Sequence, residues 1–193
     1  PRRNGAAAST KPKPGRGAAR WAGAEAVADP EEQARSVWRR IEAWVEAHVP
    51  ASEREDWLAP GADDAEVART EKTLGVELPA GYKASCRLHD GCLPMPTALL
   101  LPLAGVRREW GAWKKLLDKG AFADLRGPIA GPVGPHWFHP RWVPVASHEA
   151  GDIVVLDLAP TPEGVSGQVV DVEHESGGDR RVVAWDFLAW LGV

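Results

Sequence analysis

The order of hydrophobic patterns along the 193 residues predicts an α+β fold, with helices first, then a mostly antiparallel sheet, then a short closing helix. Two observations carry this. Segments with three- and four-residue apolar spacing cluster before residue 118, and strand-length apolar runs follow at short intervals after residue 142. Helical and strand patterns that do not alternate argue against parallel βαβ units.

The elements follow from local chemistry. Residues 1–28 are rich in Ala, Gly, Pro and basic side chains and are expected to be a disordered basic leader, because alanine buries too little surface to offset ordering entropy. Trp21 is its one aromatic residue. The folded domain is expected over 29–193. Its first helix should run from about 31 to 48, with Asp29 as N-cap, Pro30 at the first helical position and Glu32 at capping-box spacing. Val37, Trp38, Ile41, Trp44 and Val45 form its apolar face. A second helix is expected over 65–74, capped by Asp63 and ended by Gly75, with a weak stripe of Val67, Thr70/Glu71 and Leu74. A short helix from about 79 to 88, a strand at 98–101 and a helix at 105–118 come next. Residues 120–140 hold seven Pro and Gly between 127 and 140 and read as a long loop. Strands are expected at 142–146, 152–158, 167–173 and 181–184, with a turn at Gly177-Gly178, and Asp186 should cap a last helical turn over 187–191.

Charge is uneven. Residues 1–30 carry six basic and two acidic groups, and the remainder carries 17 basic and 25 acidic groups, a net charge of −8. Phosphates repel such a body, so direct nucleic-acid binding is not expected; a basic protein partner suits it. Cys86 and Cys92 make no disulfide framework and read as reduced thiols of a cytoplasmic protein. No apolar run is long enough for a membrane span. The bias toward Ala, Gly, Pro, Arg and Trp is that of a GC-rich, bacterial genome.

Several short segments together resemble a known family. They are Trp38-Arg39-Arg40-Ile41-Glu42-Ala43-Trp44, Gly61-Ala62, Glu66, Glu71, Leu74-Gly75, Leu78-Pro79, Tyr82 and His89-Asp90-Gly91. In the C-terminal half they are Trp142-Val143-Pro144, Gly151-Asp152, Leu156-Asp157-Leu158, Pro160, Gly164, Gly167-Gln168-Val169, Trp185, Phe187 and Trp190-Leu191. In this order they resemble the cell-wall-assembly-regulator family of the SUKH superfamily over about residues 35–192. Ala159 stands where that family often has a second acidic residue, and Val155 where cysteine is common. The resemblance implies an α+β protein-binding domain without enzymatic activity, metal or cofactor. Bacterial relatives are commonly immunity proteins that occlude a toxin, often a nuclease; fungal relatives are signalling scaffolds of cell-wall synthesis. The first expectation is therefore an immunity protein with a basic toxin partner, and the alternative is a regulatory or scaffold module.

The residues themselves offer little chemistry for catalysis. No Ser lies between two glycines in a nucleophile elbow, and Cys86 with His89 is a helix-turn pair readable as a buried thiol beside a helix-end imidazole. His136, His139, His148, Asp152 and His174 lack a zinc spacing. Pro128 and Pro132 remove N–H groups that a phosphate cradle between 127 and 134 would need. The candidate partner-binding residues are Trp137 and Phe138 in the long loop, Trp142, Asp152, Asp157, Gln168 and Asp90. Trp137 and Phe138 are either interface anchors or core. Asp157 and Gln168 either line a groove or satisfy backbone groups across the sheet. Asp90 fits a turn whose Gly91 supplies positive φ. Asp124, Glu149, Asp152 and Glu163 could form an acidic patch or only a solvated rim.

Overall fold

A computed structural model describes residues 29–95, 98–125, 131–148, 151–173 and 180–192. Expectations for the leader, including Trp21, for Glu149 and His174, for the turn at 177–178 and for the glycine-proline stretch at 127–128 lie outside the described residues.

Helix α1 spans Pro30–His48, with the Asp29 carboxylate accepting from the Glu31 N–H at 3.2 Å. It buries Ala34, Val37, Trp38 and Val45. Pro50 follows closely, and a single helical turn, α2 (Arg54–Trp57), comes next. This turn has no apolar period to announce it. It is held by Arg54, whose guanidinium donates to the Val49 and Glu46 carbonyls at 3.0 and 2.7 Å. A cation there also complements the negative end of α1. Helix α3 (Asp64–Leu74) starts on the Asp63 cap and stops at Gly75, which takes φ +68°. Its weak stripe is explained by α5: Arg107 donates to Thr70 Oγ1 at 2.6 Å and pairs with Glu66. Glu71 turns away from the stripe, accepting from Leu78 N at 2.9 Å and from Lys83. Helix α4 (Ala80–Leu88) packs on α1 through a buried hydrogen bond from Trp38 Nε1 to Ser85 Oγ, 2.8 Å.

Strand β1 (Leu99–Leu100) and helix α5 (Leu103–Asp118) lead to β2 (Trp142–Ser147), β3 (Ile153–Asp157), β4 (Gln168–Val172), β5 (Arg180–Ala184) and helix α6 (Phe187–Leu191). The five strands form one antiparallel meander in chain order. Pro144 sits inside β2, where it can donate nothing to the ladder; the register shifts between Pro144 and Ala146, the kind of irregularity that accommodates it.

The sheet is covered on both faces, and this is why β3 is buried at all five positions. Val154 and Leu156 join the larger core with Trp38, Tyr82, Leu103 and Phe187. Ile153 and Val155 join a second core with Trp142, Val170, Val172, Trp113, Val133 and Phe138. The long loop is therefore partly a lid over the second face. Val133 and Phe138 are 1% and 3% exposed, so Phe138 belongs to the interior.

Candidate protein-binding groove

The residues singled out from the sequence do not form one surface. Trp142, Asp157 and Gln168 do converge, but inside the protein, where none exceeds 1% exposure. The Asp157 carboxylate accepts from Trp142 Nε1 (3.0 Å), Ala159 N (2.8 Å) and Gln168 Nε2 (3.0 Å). Gln168 also donates to the Pro132 carbonyl at 3.0 Å and accepts from Val165 N at 3.1 Å. One buried carboxylate and one amide thus tie the ends of β2, β3 and β4 to the loops at 131–134 and 159–167. That is the work of satisfying buried polar groups, and it leaves these three side chains and Phe138 nothing to offer a partner directly.

Trp137 is half-buried, with the Arg180 guanidinium 5.0 Å from its ring centroid and donating to its carbonyl at 2.8 Å. Asp152 is half-buried beside β3, its carbonyl accepting from His148 N at 2.9 Å. Asp90 does not bond its own turn. Its carboxylate accepts from Leu103 N at 2.8 Å and so caps α5, a role that Pro102 at the N-cap has no side chain to fill. Burial holds the Asp90 carboxyl above its ordinary range, with the Leu103 amide opposing the shift. Gly91 takes φ +68°, and a Cβ there would lie 2.2 Å from Pro102 N, so this turn is closed against the start of α5.

The groups with catalytic character are engaged elsewhere. Burial, reinforced by Asp90, pushes the Cys86 thiol far up, which keeps it protonated. His89 places Nδ1 2.8 Å from the Ala59 carbonyl and Nε2 2.9 Å from Glu42, so both ring nitrogens have partners other than that thiol. The His136 and His139 rings lie tilted to each other with centroids 4.8 Å apart, and burial and then His136 lower the His139 pKa. Among the described residues no three His, Cys, Asp or Glu side chains gather as a metal site would require.

The surface feature that stands out was not visible from the sequence. A groove of about 690 Å³ runs between α1, α2, α6 and the 93–95 segment, lined by Val37, Ile41, Trp44, Trp57, Met95 and Leu191 among others. Trp44 is 50% exposed, more than any other large apolar side chain described as exposed, and stacks on His48 and tilts against Trp57. At ~100° per residue Trp44 points about 100° away from buried Val45, so it sits at the edge of the α1 stripe, where the core ends. Arg40, on the wall, donates to the Gly192 carbonyl at 3.1 Å and joins α1 to the end of α6. Glu53, Glu55 and Asp56 are exposed on the segment that precedes Trp57, while Arg40 is the charged residue that lines the groove itself. An aromatic-lined trough with a charged rim binds an apolar side chain by burial and selects its flanking charge by complementarity.

Comparison with known proteins agrees with the fold. Residues 61–192 match the model of the SMI1 / KNR4 family (SUKH-1). The chain is 32% identical over 174 residues to a cell wall biosynthesis/cell cycle regulator of Schizosaccharomyces pombe, covering 79% of this chain and 34% of that protein. It is 26% identical over 178 residues to a glucan synthesis regulatory protein of Neurospora crassa (70% and 33%). It is 24% identical over 175 residues to a cell wall assembly regulator of Saccharomyces cerevisiae (69% and 34%). The chain spans about a third of the length of these relatives. They are fungal, which lends no support to the bacterial source expected from composition, and they are named as regulators. On the family match and the relatives together, the chain belongs to the SMI1/KNR4 (SUKH-1) family.

Proposed function

We propose that the chain is a non-enzymatic regulatory module that binds protein partners through the groove beside Trp44, in a process linked to cell-wall assembly. The observation that carries this is the half-exposed Trp44 over an open apolar trough, in a family whose relatives are named as regulators. An exposed indole flanked by Ile41, Trp57 and Met95 has the make-up of an interface anchor. The unit from residue 29 onward supplies the binding surface, and the basic leader before it is an appended segment. No described helix is long and apolar enough to cross a membrane. The two free cysteines, one of them buried, fit a cytoplasmic setting.

The toxin-neutralising reading rests on the bacterial relatives of the family and on the acidic balance of residues 31–193; the relatives matched are fungal, and that balance suits any basic partner without singling out a toxin. Proximity labelling with wild type and Trp44→Glu in a fungal host tests the proposal. Loss of a defined set of cell-wall-synthesis proteins from the Trp44→Glu sample supports it. An unchanged set, or enrichment of a toxin domain alone, contradicts it.

A further inference from the structure

We infer that the groove takes an amphipathic helix of a protein partner, with aliphatic side chains at i, i+4 and i+7 laid along α1 and a carboxylate on its flank that meets Arg40. The inference rests on the groove being a binding surface, and it adds the conformation and the charge of the segment that fills it.

Three observations carry it. The first is the backbone of the walls. Helices α1 and α6 hold their N–H and C=O groups within themselves. The Glu46 and Val49 carbonyls at the end of α1 are taken by Arg54, and the Gly192 carbonyl by Arg40. On the remaining wall the Leu93 carbonyl accepts from Leu100 N at 3.0 Å, and Met95 N donates to the Ala98 carbonyl at 2.8 Å. Pro94 between them has no N–H to give. An extended segment entering here finds no ladder to pair with, and its own backbone groups would lie unpaired against apolar walls. A helix brings its backbone hydrogen bonds with it.

The second is spacing. Val37, Ile41 and Trp44 stand at i, i+4 and i+7 on α1, a row about 10 Å long at the helical rise. Two turns of a partner helix present a matching aliphatic row over the same length. Met95 faces that row from the 93–95 segment, and its thioether adapts to side chains of different shape.

The third is charge. Arg35, Arg69, Arg87, Arg107 and Arg181 each pair with a carboxylate. Arg40 is exposed, lines the groove and has no such pair among the described residues. One N–H of its guanidinium holds the Gly192 carbonyl, and the rest of the fork is left for a partner's carboxylate. The acidic balance of residues 31–193 favours a partner that is basic overall. That field is screened beyond about 8 Å, so Arg40 sets the sign preferred in the groove itself.

The test is a selection followed by a measurement. A displayed library of random peptides about 16 residues long is selected on the full chain, with Trp44→Glu as the counter-selection, and the consensus peptide is synthesised. Met95 is the sole methionine of the chain and lines the groove, so its methyl resonance reports occupancy by NMR. The expected consensus has aliphatic residues at i, i+4 and i+7, an Asp or Glu beside that row and no proline within it. The peptide should shift the Met95 methyl of the wild type and bind Arg40→Gln about five-fold more weakly. Arg40→Gln keeps a donor for the Gly192 carbonyl, and its urea midpoint should match the wild type. Exchanging the acidic residue of the peptide for Lys should weaken binding to wild type and strengthen binding to Arg40→Glu. A consensus rich in proline or basic residues overturns the inference, as does a peptide that binds Arg40→Gln as tightly as wild type. A library that yields no Trp44-dependent sequence also overturns it. The groove reading is decided separately, by whether Trp44→Glu loses its partners in cells.

Discussion

The loop-covered face of the sheet and the trough beside α1 are both built from tryptophan and aliphatic side chains, yet one is closed and the other open. On the closed side Trp142 donates to Asp157, Trp113 to Glu109 and Trp110 to the Pro140 carbonyl. Phe138 stacks on Trp113 with ring centroids 5.6 Å apart. Each of these indoles, two buried and Trp110 partly buried, has an acceptor, and a polar network locks the loop over them. On the open side Trp44 touches only His48 and Trp57 among the described aromatic rings and stays 50% exposed at the groove. The difference teaches that aromatic content alone does not mark the proposed binding surface. What marks it is an aromatic group that the fold does not enclose.

The comparison can be broken from the closed side first. Asp157→Ala leaves two buried donors and the part-buried Ala159 N–H without this acceptor, and a loss of about 3–5 kcal/mol is expected in urea unfolding. A loss below about 1 kcal/mol would mean the loops at 131–134 and 159–167 are not held as described. Ser85→Ala, which orphans Trp38 Nε1, should cost about 1–2 kcal/mol in the same assay.

Asp90→Asn sharpens the picture through pH. The folded carboxyl has a raised pKa, so the native state binds this proton more tightly than the unfolded chain does. Its contribution favours the fold below the ordinary Asp pKa and is lost as pH rises through the raised value. The wild type should therefore lose this increment on going from acid toward neutral pH. Asp90→Asn keeps an acceptor for Leu103 N and should lack that increment of pH dependence. Stability curves measured at several pH values check it, and identical pH profiles would contradict it.

The smallest expected effect on stability is on the open side. Trp44→Ser should change unfolding free energy by no more than about 1 kcal/mol, because half of the side chain is already in water. A larger loss would show that Trp44 is structural and would remove the contrast between the two regions.

Much of the fold was legible from the sequence. The α1, α3 and α6 bounds follow from Asp29, Asp63 and Asp186 at the caps and Gly75 at a C-terminus, all local signals. The meander followed from short apolar runs in series. Helix α2 was missed because Arg54 holds it to the carbonyls at the end of α1, a contact with no periodic trace. The lid formed by Val133 and Phe138 was missed because proline and glycine announced a loop and could not say what it would cover. Asp157 and Gln168 were recognised as a pair with two readings, and their burial favours the structural one. The groove was illegible for a further reason. Ile41 and Trp44 read as ordinary members of an apolar stripe, and their exposure depends on where α6 and the 93–95 segment end, which is a matter of long-range packing.

The contrast between the two regions is tested most directly by a photo-crosslinking side chain placed at position 44 and, separately, at position 137, in cells that express the full chain. The account predicts discrete protein adducts from position 44 and none from position 137. Adducts from position 137 with none from position 44 would contradict it.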